Sequence, residues 1–107
     1  MTASPEEYTI RRLQKLLLYE VSMNAIDIEE ARIRATDAIS KLAEKERLGD
    51  LMIVDAAIVE TEEAWYFPYD AVAFVVHGDI SAALAGNVPV KVPRDGSALT
   101  YEAPAQP

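Results

Sequence analysis

At Gly49 the spacing of apolar residues changes, and that change restricts the fold more than any other feature of the chain. Before it, Ile28, Ala31, Ala35, Ala38, Ile39 and Leu42 recur at helical spacing. After it, Leu51-Met52-Ile53-Val54 and Ala56-Ala57-Ile58-Val59 form strand-like stretches, interrupted by Asp55. Spacings of three and four place side chains on one stripe of a helix, whereas β-branched and aliphatic runs suit a pleated strand. A chain that switches once from one period to the other builds a layer of helix against a layer of sheet.

The helical part contains two candidate elements. Ser4-Pro5-Glu6-Glu7 reads as a helix start, with Ser4 as cap, Pro5 at the first helical position and Glu7 completing a capping box. Ile10, Leu13, Leu17 and Val21 then predict a helix from Pro5 to Ser22. Leu16 and Leu18 widen its apolar arc beyond one face, which predicts a homodimer contact or a second docking surface for this helix. Asn24 to Asp27 breaks the pattern. Asp27 is the expected cap of the next helix, Glu29 and Glu30 complement its dipole, and Gly49 is the expected left-handed closing residue. Its charged side, with Arg32, Arg34, Asp37, Lys41 and Glu44, reads as an ordinary solvated face.

The second half reads as strands. Leu51–Val59 leads into the polar connection Glu60-Thr61-Glu62-Glu63, then Ala64–Tyr69 follows, with Trp65, Phe67 and Tyr69 on one face and Tyr66 on the other. Pro68 marks an edge or the end of pairing. His77-Gly78-Asp79 is a turn, Asp79 caps a short helix through Leu84, and Gly86 ends it. Strands at Val88–Val92 and Ala98–Tyr101 flank the turn Pro93-Arg94-Asp95-Gly96, and residues 103–107 form a frayed tail. The expected fold is α+β: an antiparallel four-stranded sheet with helices packed on one face, in a single domain over residues 1–107.

Composition narrows function. With no Cys and one His, a disulfide framework, a thiol nucleophile and histidine-rich zinc sites are excluded. His77 sits in a polar turn, no Gly-rich loop resembles a phosphate cradle, and the serines lack a nucleophile context. We therefore expect no enzyme activity, cofactor or metal. The net charge of −8 is unevenly spread: residues 51–107 hold 8 acids against only Lys91 and Arg94. Such a surface repels nucleic acid and suits a basic protein partner. No apolar run approaches the ~20 residues of a membrane span, and no signal peptide is evident, so the expected setting is cytoplasmic.

A set of residues in the second half carries a family resemblance. Trp65-Tyr66-Phe67, Asp70, Phe74, Gly78-Asp79 and Leu84-Ala85-Gly86-Asn87-Val88-Pro89, followed by Val90, Val92 and Asp95-Gly96, closely resemble the YrhB-like family, also called immunity protein 35, over about residues 58–103. The chain departs from the family pattern at Ala64, where Gly is usual, and in the helix at 5–22, an addition relative to the shortest members. The resemblance implies a small α+β protein that binds and neutralises a cognate bacterial polymorphic toxin by occluding it. A stress-related, chaperone-like or scaffolding protein of the same fold is the alternative. Trp65, Phe67, Gly86, Asn87 and Pro89 are expected to build the fold. Glu60, Glu62, Glu63, Asp70 and Asp79 are expected to face a toxin of basic surface, with Tyr66 as apolar anchor if its face is open.

Overall fold

In the computed structural model, which describes residues 25–105, Asp27 caps a helix as its sequence position predicts. Its carboxylate accepts a hydrogen bond from the Glu30 N–H at 2.8 Å, filling one of the donors a helix start leaves open. Helix α1 spans Ile28–Glu46. It ends two residues earlier than Gly49 implies. Arg47 takes the left-handed conformation at φ 53°, and the Leu48 N–H reaches back to the Ala43 carbonyl. That six-to-one bond satisfies a carbonyl at the helix end and offsets the ~1–2 kcal/mol that a side-chain-bearing residue loses in this conformation. Gly49, also at positive φ, turns the chain into the sheet region. The predicted helix at 5–22, with Leu16, Leu17 and Leu18, lies outside the described residues.

Six strands follow in two sheets. Strands β1 (Leu51–Ile53) and β4 (Tyr69–Ala71) pair antiparallel, with Ile53 opposite Tyr69. Strands β2 (Val59–Glu60), β3 (Ala64–Phe67), β5 (Val90–Pro93) and β6 (Thr100–Tyr101) form the four-stranded antiparallel sheet in that order. Trp65 stands opposite Val92, and Phe67 opposite Val90.

The expected strands at 51–59 and 64–69 are each split between the sheets, and both splits have a local cause. Asp55–Ala57 forms a 3₁₀ turn, and the Asp55 carboxylate pairs with Arg32 of α1. Pro68 has no N–H to continue the ladder, but its carbonyl accepts from the Val54 N–H at 2.9 Å. The two chains therefore cross from one sheet to the other side by side. A second deviation follows β4. Residues Val72–Val75 form a single helical turn, α2, which the sequence reading left unassigned. Gly78, at φ 70°, closes it, and the Asp79 N–H returns to the Ala73 carbonyl. The helix expected from Asp79 to Leu84 is only a 3₁₀ turn at Ile80–Ala82.

The core lies between α1 and the sheets. Ala31, Ala35 and Ile39 from α1 join Ile53, Trp65, Phe67, Tyr69, Val90 and Val92 in one buried cluster. Ile28 sits at the end of the stripe and is exposed. Tyr69 meets Tyr101 edge to face, ring centroids 6.3 Å apart, and burial raises both phenol pKa values above 10.0. The Trp65 ring is 3% exposed, and its indole N–H has no hydrogen-bond partner among the described residues. Its contribution is therefore apolar. Trp65→Ala should destabilise the chain by about 3–5 kcal/mol, read from urea-unfolding midpoints at unchanged slope.

Candidate functional site

The acidic connection between β2 and β3 is a tight turn built by Thr61. Its hydroxyl accepts from the N–H groups of Glu63 and Ala64 and donates to the Ala64 carbonyl. This leaves Glu62 and Glu63 pointing outward and exposed, and among the described residues neither carboxylate is ion-paired. Glu60 differs. Its carboxylate pairs with Arg94, whose Nε also donates to the Thr61 carbonyl at 2.8 Å. The Arg94 guanidinium lies 4.3 Å from the Trp65 ring centroid. Arg94 thus clamps the hairpin over the core's largest side chain. The sequence reading counted it only as turn and charge, although its rarity as a base in this half was a usable signal.

Glu62, Glu63, Lys91, Pro93, Arg94 and Asp95 line an open groove of about 410 Å³ beside the hairpin. Asp95 accepts hydrogen bonds from both the N–H and the hydroxyl of Ser97, which hold its carboxyl below the ordinary value of 3.8. A folded-state value below the unfolded one means that this contact's stabilisation is fully present above 3.8 and is lost as pH falls through the lowered value. Burial alone would lower Lys91, but the Glu102 carboxylate and Tyr66 raise it above 10.5 overall.

Tyr66 is expected as an anchor only if its face is open, and that face is covered. It faces away from α1, yet it is only 6% exposed. Strand β3 is interior to its sheet, so Val59 of β2 and Lys91 of β5 flank the ring, and the Lys91 ammonium sits 5.8 Å from its centroid. Tyr66 is therefore no open-face anchor. Asp70 is likewise turned inward: its Oδ1 accepts from the Leu84 N–H at 2.8 Å and from the Ala71 N–H at 2.7 Å. Asp79 is exposed but caps the 3₁₀ turn by accepting from the N–H and hydroxyl of Ser81. The expected partner set is thus divided. Glu62 and Glu63 face outward, Asp79 is exposed while capping its turn, Glu60 is exposed while paired with Arg94, and Tyr66 and Asp70 are engaged within the fold.

The residues of the Leu84–Pro89 string tie the chain together. Gly86 is at φ 75° with open space around its Cα, so backbone conformation alone requires it. Asn87 donates from Nδ2 to the Tyr69 carbonyl at 2.9 Å, and the Pro89 carbonyl accepts from the Glu102 N–H. With Asp70, these contacts fix the 84–89 segment on β4 and lead it into β5. Among the described residues, no group of three His, Asp or Glu side chains stands where it would hold a metal ion, and no helix is long and apolar enough to cross a membrane.

The sequence model of immunity protein 35 matches residues 29–107, well over half of the chain. The chain belongs to the immunity protein 35 family. The matched segment starts at the second residue of α1 and takes in both sheets, so the resemblance carried by the second half extends through that helix. No curated protein and no solved structure matches the chain.

Two outcomes follow from these contacts. Asp70→Ala leaves two backbone donors unpaired and should cost about 1–3 kcal/mol in urea unfolding. Ser97→Ala should move the Asp95 titration midpoint upward toward 3.8, measured by side-chain NMR across an acid series.

Proposed function

We propose that the chain is an immunity protein that binds a cognate bacterial polymorphic toxin in the cytoplasm and neutralises it by occlusion, without chemistry of its own. Membership of the immunity protein 35 family carries this reading. The disposition of the carboxylates supports it. Asp55 and Glu60 are held by arginines and Asp70 by backbone donors, so they serve the scaffold. The outward acids Glu62 and Glu63 stand on a rigid turn, where they speed encounter with a basic surface and resist partners of the wrong charge.

The test uses the product of the adjacent upstream gene as the candidate toxin. Equimolar chain should form a complex with it and abolish its activity. Absence of both a complex and protection defeats the proposal. Broad suppression of aggregation in unrelated proteins, without a toxin complex, marks the chaperone-like alternative instead. With Glu62 and Glu63 both changed to Lys, the association rate should fall about tenfold at low salt and approach the parent's as salt screens the charges. Equal rates across the salt series would remove this hairpin from the interface.

A further inference from the structure

An occluding inhibitor needs apolar contact as well as charge, and Tyr66 is not free to supply it. The most exposed large apolar side chain of the described residues is elsewhere. Ile80, at the start of the 3₁₀ turn, is 80% exposed, and Val76, just after α2, is 58% exposed, with Val75 also open. The same segment borders a recess of about 260 Å³ lined by Leu48, Asp50, Val72, Ala73, His77 and Ala82. An apolar ridge thus adjoins a largely apolar recess, a pairing that suits a knob-and-pocket contact.

The ridge is held rigidly. The Gly78 N–H donates to Phe74, the Asp79 N–H to Ala73, the Ala83 N–H to Ile80, and the Leu84 N–H to Asp70. Ordered presentation of bulky apolar groups lowers the entropy lost on binding. Charge identifies the occupant. No Lys or Arg lies between Arg47 and Lys91, a stretch containing the ridge and seven acids, of which Asp55 and Glu60 are paired with arginines from outside it. Asp50 lines the recess and Asp79 adjoins Ile80. A second copy of this acidic chain would bring like charges together, whereas a basic protein would not.

We propose that the ridge of Val76 and Ile80, with the adjoining recess, is the apolar anchor site for the toxin, which presents apolar side chains ringed by Lys or Arg. This rests on the immunity reading. It adds a contact region after β4 that is separate in the chain from the hairpin preceding β3.

The chain has no Cys, so Ile80→Cys introduces a single thiol, and Ile33→Cys, at a 62% exposed position of α1, supplies the comparison. In the free full-length chain both thiols should react readily with a maleimide. Saturating candidate toxin from the adjacent gene should slow labelling at position 80 about tenfold or more and leave position 33 unchanged. The paired variant Val76→Ser with Ile80→Ser should keep the parent's thermal midpoint and bind about thirtyfold or more weakly, as loss of a hot spot does. The site is overturned if the paired variant binds like the parent, or if the thiol at position 80 stays reactive in the complex. Slow labelling of that thiol in the free monomer would mean the chain's own N-terminal residues cover the ridge, and protection that grows with chain concentration would mean a second copy does. Either outcome also overturns the site. Failure of the parent to bind the candidate toxin defeats the immunity reading together with this site. Parent binding with an undisturbed paired variant defeats the site alone.

Discussion

Ala31 and Ala35 carry only methyl groups toward the sheet, so α1 can lie close against β3 and β5 while Trp65, Phe67, Val90 and Val92 fill the space around it. Small residues on the helix and large ones on the strands give dense packing without overfilling. Everything else is arranged around that contact. Arg94 closes the Trp65 ring from outside, Arg34 donates to the Gly96 carbonyl, and Arg32 holds the 3₁₀ turn at Asp55. The face of α1 that reads as merely solvated therefore also ties the helix to the turns after β5 and β1.

The carboxylates divide by partner rather than by position in the chain. Those beside an arginine or a backbone donor help hold turns in place, whether exposed like Asp79 or half-buried like Asp70, and those on the hairpin tip hold nothing. A count of acids is the same in both cases. Only the three-dimensional contacts separate an acid that fixes a loop from one that meets a partner, and the separation has energetic content. Removing Asp70 strands two N–H groups, whereas removing an exposed glutamate leaves nothing unsatisfied.

Local signals were legible in the sequence wherever a single residue determines a single geometry. Asp27 caps its helix, the 3.6-residue period marks the face of α1 that is buried, and Gly86 takes the left-handed conformation. The α+β class followed from the change in period. Features set by backbone contacts or by neighbours beyond the residue itself were not legible. Arg47 ends α1 because the backbone bond from Leu48 to Ala43 outweighs its side chain's preference. Tyr66 is buried because β3 is interior, and strand order is not written in the alternation of one strand. Val72–Val75 looks β-forming residue by residue but coils because Gly78 and Asp79 close it. The contacts of Glu60 and Asp70 within the fold were not legible either, because their partners lie 34 and 14 residues away.

The outer strands of the larger sheet are two residues long each, β2 on one side and β6 on the other. So short an edge offers an incoming strand too few backbone groups to hold it, which guards against sheet-to-sheet aggregation. It also fixes the currency of recognition. A partner that adds a strand is held largely by main-chain groups, which every sequence shares. Where the edges of this sheet deny that route, recognition falls to side chains. Side chains on exposed turns can be exchanged without rebuilding the packed layer beneath.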